Sequence, residues 1–104
     1  MILPGWRNLP TLPAGRQAAG RLVEAIMYYV YAISSKTRKY IYVGITNNLD
    51  RRIDEHNRGY NKTTRSYRPF KLIFTEEFTT RTAARDREKY LKSGFGKEFL
   101  KNMI

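Results

Sequence analysis

The chain contains no cysteine in its 104 residues, which excludes disulfide bonds and thiolate metal sites and fits a reducing compartment. Acidic residues are also scarce: nine Asp and Glu stand against 20 Lys and Arg, so the net charge is +11. An excess of this size favours a polyanionic partner, usually nucleic acid and less often an anionic membrane surface. Charge alone does not separate the two.

Long hydrophobic runs are absent as well. No apolar segment approaches the roughly 20 residues that a membrane-spanning helix needs. The first residues lack the basic start, apolar stretch and cleavage site that together mark a secretory signal. The sequence therefore predicts a cytoplasmic protein that does not enter a membrane.

Proline is almost missing from the larger part of the chain. Three of the four prolines precede residue 26, and all eight tyrosines follow it. Because Pro and Gly disfavour the interiors of helices and strands, we expect residues 1–26 to form a flexible N-terminal arm and residues 27–104 to form one folded domain. The same break makes Met27 a hypothetical natural start, which mass spectrometry of the native protein would test.

Within the domain, hydrophobic patterns predict an α/β (α+β) fold with a small three-stranded, mainly antiparallel sheet flanked by helices. The first helix should be capped by Asn47 and end before Gly59, and the second should be capped by Thr79 or Thr80. We expect Phe95, Phe99 and Leu100 of the last helix to face inward. The predicted strands are Tyr28–Ser34, Lys39–Ile45 and Phe70–Phe78. The predicted helices are Asn48–Arg58, a second one that follows the cap at Thr79 or Thr80 and ends near Lys92, and Gly96–Met103.

Two tyrosines can meet on the predicted hairpin. Side chains alternate along a strand, so the phenols of Tyr31 and Tyr42 can converge if their faces coincide. Gly44 would then leave space beside them for a phosphate or its sugar. The alternative is structural, because cross-strand tyrosine pairs stabilise sheets that have no catalytic role.

The first predicted helix carries two basic residues on its inward stripe. Leu49, Arg52, Ile53 and His56 fall at relative positions 0, 3, 4 and 7, which is one helical face. A partly buried Arg needs an anion, and a phosphate matches its fork of donors. The alternatives are that Arg52 reaches solvent at the edge of the stripe and that His56 is a buried imidazole with satisfied hydrogen bonds.

An acidic residue lies on the inward stripe of the second helix. Ala84, Glu88 and Leu91 stand at positions 0, 4 and 7, and burying a carboxylate is costly unless it is paired or binds a cation. Glu88 could form an ion pair with Arg52 or a nearby Lys. It could equally bind Mg²⁺, which commonly takes only one or two protein carboxylates.

Together these residues resemble the GIY-YIG nuclease family, in particular small stand-alone bacterial members related to the N-terminal nuclease domain of the bacterial repair excinuclease. Tyr29-Val30-Tyr31 and Tyr42-Val43-Gly44 stand in the place of the two tripeptides. The family arginine, histidine and glutamate fall on Arg52, His56 and Glu88. Tyr29 replaces the first glycine and Val replaces Ile in both tripeptides, but both tyrosines remain.

The resemblance implies a metal-dependent endonuclease that hydrolyses phosphodiester bonds in DNA, in repair or in the processing of DNA structures. Glu88 would hold Mg²⁺ or Mn²⁺, and Arg52 would neutralise charge on the phosphoryl oxygens. Tyr31 would activate the attacking water, with His56 accepting or orienting its proton. Tyr42 would orient water or phosphate, and the two tyrosines could exchange roles.

Contacts to the nucleic-acid backbone are expected from the hairpin turn, the start of the first helix and the loop that follows it. Because no second DNA-binding domain is recognisable, target choice could depend on a partner protein. A catalytically weak or inactive nucleic-acid-binding module and a purely structural protein are the alternatives. DNA versus RNA, substrate structure and oligomeric state stay open. The expected contact residues are Lys36, Arg38, Arg51, Lys62, Thr63, Thr64, Arg65 and Arg68.

Overall fold

The computed structural model describes residues 26–104, so the predicted flexible arm lies outside the described residues except for Ile26. Three strands and three helices follow one another along the chain, with a short 3₁₀ helix at Arg65–Tyr67. The strands are β1 (Tyr28–Ser35), β2 (Ile41–Thr46) and β3 (Phe70–Phe78), and the helices are α1 (Leu49–Arg58), α2 (Arg81–Lys92) and α3 (Gly94–Lys101).

The strands form one antiparallel sheet in the order β2-β1-β3. β1 is the central strand and is buried from Val30 to Ser35. Its register against β2 pairs Tyr31 with Gly44, and its register against β3 shifts between Ala32 and Ile33. The predicted α+β fold with a three-stranded antiparallel sheet is therefore confirmed.

Each face of the sheet has its own core, which explains why β1 and β2 lack a polar face. On one face, Tyr31 and Ile33 pack with residues of α1 such as Leu49 and Ile53. The opposite core contains Val30, Ala32, Val43, Ala84, Leu91 and Leu100, which brings α2 and α3 onto that face. Burying one Val or Leu side chain fully contributes about 1.5–3 kcal/mol, so two covered faces are a large part of the stability of a small domain.

Local signals place the ends of α1. The Asn48 side chain accepts a hydrogen bond from the backbone N–H of Arg51 at 3.1 Å, so Asn48 caps the helix and the prediction of Asn47 was wrong by one residue. The helix ends at Gly59, whose φ of 82° lies in the left-handed region that favours glycine. The predicted end of the helix is confirmed.

Helix α2 is capped by Thr80, one of the two residues predicted. Helix α3 begins two residues earlier than predicted because Ser93 caps it, accepting a hydrogen bond from the N–H of Gly96 at 3.3 Å. This phase turns Leu100 inward as predicted, but it leaves Phe95 82% exposed and Phe99 at the surface against the Phe74 ring, so both inward predictions were wrong. None of the helices in residues 26–104 is long and apolar enough to span a membrane.

Candidate active site

The site is organised around the phenol of Tyr31 on the central strand. Tyr31 is fully buried and pairs with Gly44 across the sheet. A Cβ built on Gly44 would lie 2.6 Å from the Tyr31 hydroxyl oxygen. The expectation that Gly44 leaves room for a phosphate or sugar was therefore wrong in one respect: the glycine does leave space, but the Tyr31 phenol fills it.

Tyr31 begins a chain of buried hydrogen bonds that runs into α1 and the loop behind it. Its hydroxyl lies 2.8 Å from Nε2 of His56. The other ring nitrogen of His56, Nδ1, lies 2.8 Å from Oγ1 of Thr64. All three side chains are fully buried, and hydrogen bonds in such surroundings hold their partners in fixed positions.

Burial also sets the charge states of the pair. It raises the pKa of Tyr31 to about 12, an effect that a hydrogen bond from Arg52 only partly offsets. Burial, together with the positive charge of Arg52, lowers the pKa of His56 to about 4. At neutral pH the phenol is protonated and the imidazole is neutral, so one ring nitrogen is free to accept a proton.

Tyr42 and Arg52 complete the cluster on this face. The Tyr42 ring lies 6.2 Å from the Tyr31 ring and 4.9 Å from the His56 ring, measured between centroids, and Tyr42 is only partly buried. The positive charge of Arg52 acts on Tyr31, and Arg52 donates from Nη1 to Oε1 of Glu55 at 3.0 Å. About 29% of the Arg52 side chain is exposed, so the guanidinium lies at the boundary between the buried cluster and solvent.

Glu88 belongs to α2, on the opposite face of the sheet, yet its negative charge contributes to the raised pKa of Tyr31. Its side chain is 15% exposed and is paired with Lys92 Nζ at 3.1 Å and Arg85 Nε at 3.7 Å. The predicted pairing with a nearby Lys is therefore present, whereas Arg52 pairs with Glu55 instead.

The donor set fits a weakly held divalent cation. Among residues 26–104, no group of three or more His, Cys, Asp or Glu side chains is arranged to hold a metal, so a cation at Glu88 would have fewer than three such ligands. Mg²⁺ accepts such a site because it keeps several waters and often takes one or two protein ligands. Lys92 and Arg85 are more than half exposed, so they can leave the carboxylate with little loss of burial.

Seven of the eight predicted backbone-contact residues are exposed, as such a role requires: Lys36, Arg38, Arg51, Lys62, Thr63, Arg65 and Arg68. Some already have local partners. The Arg38 guanidinium lies 5.3 Å from the centre of the Tyr67 ring, and Arg68 donates to the Arg65 carbonyl at 2.8 Å. Thr64 is the exception: it is fully buried against His56, so its predicted contact with phosphate was wrong.

A second basic surface was missed from the sequence. Arg81, Arg85 and Lys89 stand one turn apart on α2, all exposed, and line a shallow depression with Thr82 and Asp86. The i, i+4, i+8 spacing of the cations was a visible signal for one helical face. The three positive charges therefore form a row on α2 beside Glu88.

Comparisons with known proteins place the chain in a family. A family model described as the GIY-YIG catalytic domain matches residues 27–102. A UPF0213 protein of Clostridium perfringens is 43% identical over 67 residues, which cover 64% of this chain and 71% of that protein. The UPF0213 protein YazA of Bacillus subtilis is 37% identical over 71 residues, covering 67% of this chain and 71% of YazA.

Among solved structures, the solution NMR structure of a UPF0213 protein from Bacillus halodurans is similar. It is 35% identical, with a TM-score of 0.46, and the match covers 74% of this chain and 84% of that one.

Proposed function

Because the chain belongs to the GIY-YIG family, whose catalytic-domain model matches residues 27–102, we propose that it is a divalent-metal-dependent endonuclease that hydrolyses phosphodiester bonds in DNA. The observation that supports this most strongly is the buried hydrogen bond of 2.8 Å between the Tyr31 hydroxyl and His56 Nε2. It joins a potential base to a neutral proton acceptor in a cluster that also contains an arginine.

The proposed first step transfers protons along this bond. The Tyr31 hydroxyl gives its proton to His56 Nε2, and the resulting phenolate takes a proton from the attacking water. The water oxygen forms the new bond to phosphorus while the bond to the 3′ oxygen breaks, and that oxygen is then protonated from solvent. With a pKa of about 12, the Tyr31 phenol is protonated at neutral pH, so it can act as a base only when a neighbouring group takes its proton, and the neutral imidazole of His56 is the acceptor in contact with it.

Arg52 connects this chemistry to the substrate. Its positive charge acts on Tyr31, and its guanidinium reaches the surface. When it turns to the scissile phosphate it stabilises the negative charge that develops there. Tyr42, which is partly exposed, orients the attacking water or the phosphate.

Glu88 would hold Mg²⁺ or Mn²⁺, and the cation when bound would offset negative charge on the scissile phosphate and the departing oxygen. When no metal is bound, the positive charges of Lys92 and Arg85 neutralise the Glu88 carboxylate. Because Lys92 and Arg85 lie on the same helix as Glu88, a metal ion could replace them at the carboxylate through movement of their side chains alone.

The nucleic-acid backbone would lie across the exposed basic residues. The hairpin turn and the loop after α1 supply Arg38, Lys62 and Arg65, and the α2 row supplies Arg81 and Lys89. Such contacts carry affinity without reading bases, and they weaken as the salt concentration rises, because the release of counterions from DNA then contributes less. Target choice would accordingly depend on DNA structure or on a partner protein.

An inactive binding module is the second candidate, and two observations favour it. Tyr31 is fully buried with a pKa of about 12, and Glu88 is already paired with two cations. A module of this kind would bind DNA through the same basic surface but would not cut it.

The experiment that separates the two candidates uses supercoiled plasmid and branched DNA incubated with the protein in Mg²⁺, Mn²⁺ or EDTA. Glu88→Gln removes the proposed metal ligand. Glu98→Gln is the matched control, because Glu98 is an exposed acidic residue of α3 paired with Lys101. Cutting that needs metal, is lost in Glu88→Gln and survives in Glu98→Gln supports the nuclease. DNA binding without cutting by the native protein supports the binding module.

A further inference from the structure

Thr64 is a buried polar residue in a loop that is otherwise exposed and basic. Its N–H lies within hydrogen-bond distance of the Asn61 carbonyl (3.3 Å) and the Asn61 Oδ1 (3.2 Å), and its carbonyl accepts from the N–H of Tyr67 at 2.9 Å. These bonds fix the backbone on both sides. The hydroxyl is thereby held 2.8 Å from Nδ1 of His56, its hydrogen-bond partner among the described residues.

We propose that Thr64 is a positioning residue of the site: its hydroxyl accepts the Nδ1–H of His56 and so keeps Nε2 unprotonated and directed at the Tyr31 hydroxyl. The inference deepens the proposed function and rests on it for its catalytic meaning. The assignment of the imidazole tautomer, however, rests on hydrogen bonding alone and can be tested separately.

The donors and acceptors around Tyr31 lead to this assignment. The positive charge of Arg52 acts on the Tyr31 phenol, which favours an orientation with the phenol oxygen towards the guanidinium and the phenol proton towards another group. The hydrogen-bond partner of the phenol among the described residues is His56 Nε2. A neutral imidazole has one N–H, and if Nε2 accepts, that N–H is on Nδ1 and points at Thr64 Oγ1.

A hydroxyl suits this position better than a carboxylate. A carboxylate against Nδ1 would stabilise the imidazolium and raise the pKa of His56, whereas a hydroxyl orients the ring without adding charge. The ring also need not turn during the reaction, because Nδ1–H stays on Thr64 when Nε2 takes a proton. The branched Cβ of threonine restricts rotation about χ1 and helps to hold the hydroxyl in place.

The test compares Thr64→Val, which keeps the shape and removes the hydroxyl, with Thr64→Ser, which keeps the hydroxyl. Thr79→Val is the matched control, since Thr79 is an exposed threonine outside the site and the basic surfaces. Because His56 is the only histidine of the chain, ¹⁵N NMR of histidine-labelled protein reports its tautomer without ambiguity. Single-turnover cleavage at saturating and subsaturating DNA separates the rate from substrate binding.

We expect the native protein, Thr64→Ser and Thr79→Val to show the Nδ1–H tautomer and similar cleavage rates. Thr64→Val should lose that tautomer and cut at least tenfold more slowly, while its KM for DNA changes less than twofold. The proposal is overturned if the native protein shows the Nε2–H tautomer, or if Thr64→Val keeps both the native tautomer and the native rate.

A second variant keeps the tautomer testable if Thr64→Val does not fold. Tyr31→Phe then replaces it in the NMR experiment: with Thr64 in place the Nδ1–H tautomer should persist, and its loss would overturn the proposal. If the native protein does not cut DNA at all, the proposed function fails, while the tautomers of the native protein and Thr64→Val still decide whether Thr64 sets the imidazole.

Discussion

The hydroxyl of Tyr31 occupies the space in which residue 44 would carry a side chain. A Cβ on Gly44 would lie 2.6 Å from the hydroxyl oxygen, 2.8 Å from Cζ of Tyr31 and 3.0 Å from Cε2 of Tyr42. Side chains of both tyrosines thus pack against this one glycine, and the position of the phenol near His56 depends on it.

Gly44→Ala should therefore displace Tyr31 and weaken its bond to His56. Overpacking of this kind costs about 1–3 kcal/mol of folding free energy, and misplacing a reacting group by an ångström can lower a rate by about 100-fold. Urea denaturation and plasmid cleavage measure the two effects. Gly94→Ala is the control, because a Cβ at Gly94 meets nothing within 4 Å. Full activity in Gly44→Ala would mean that Tyr31 does not need its present position.

The two tyrosines should differ in their importance. Tyr31→Phe removes the hydroxyl bonded to His56, and loss of a general base commonly lowers a rate by about 10²–10⁴-fold. Tyr42→Phe should have a smaller effect, because Tyr42 only orients water or phosphate in the proposed mechanism. Single-turnover cleavage of each variant gives the comparison. A larger loss in Tyr42→Phe would assign the base role to Tyr42, whose ring is the more exposed of the two.

Folding stability should fall as the pH is lowered through the range in which His56 takes a proton. Its pKa is about 4 in the folded protein against an ordinary value of 6.5. The unfolded chain binds the proton first, so stability present above pH 6.5 is lost between about pH 6.5 and pH 4, by up to about 3 kcal/mol.

Urea denaturation at several pH values measures this loss, and His56→Gln isolates it. The variant should lack the part of the slope that comes from the imidazole, while the carboxylates titrate alike in both proteins. Equal slopes for the native protein and His56→Gln between pH 6.5 and pH 4 would show that the imidazole is not held neutral by burial.

Lys92 should compete with a divalent cation for Glu88. Its Nζ lies 3.1 Å from Oε2 of the carboxylate, and an ion pair whose lysine is exposed to solvent is worth about 0.2–1 kcal/mol. Lys92→Gln should therefore lower the Mn²⁺ concentration needed for half-maximal cleavage by up to about fivefold. Lys101→Gln, which breaks the exposed pair with Glu98, is the control. An unchanged or higher Mn²⁺ requirement in Lys92→Gln would argue against metal binding at Glu88.

The fold was predictable because its signals are local. The Leu49 and Ile53 spacing predicted α1, and Gly59 correctly marked its end. The predictions failed where a helix boundary depends on which of two neighbouring residues caps the helix, or where the direction of a side chain depends on that boundary. Asn47 and Asn48 have the same side chain, so sequence could not choose the cap. Ser93 shifted the start of α3 and with it the direction of Phe95.

The candidate site could likewise be predicted only in part from the sequence. The strand and helix periods brought Tyr31, Arg52 and His56 into consideration, and the structure brings these three side chains together. The contact of Thr64 with His56 could not be predicted in this way. Thr64 lies in a polar loop, and a loop has no hydrophobic period that would show which of its residues pack against α1. The space beside Gly44 was anticipated, but its occupant depends on the register between two strands.

The α2 row of cations should contribute to DNA affinity through backbone phosphates. Arg81 and Lys89 are exposed on α2 and take no part in the proposed chemistry. Each phosphate contact contributes about 0.9 to the slope of log K against log salt for duplex DNA, so Arg81→Gln/Lys89→Gln should lower that slope by up to about 1.8. Fluorescence anisotropy in EDTA, which prevents cleavage, measures it between low and moderate salt.

The control for this surface removes two positive charges elsewhere. Arg58→Gln/Lys101→Gln breaks two exposed ion pairs, with Asp54 and Glu98, at the ends of α1 and α3. Because both double variants lower the net charge by two, a general effect of charge would change both slopes equally. If the salt slope decreases only in Arg81→Gln/Lys89→Gln, the DNA backbone lies along α2. If the two double variants have the same salt slope, the α2 row makes no specific contact, and the contact surface is restricted to the hairpin turn and the loop after α1.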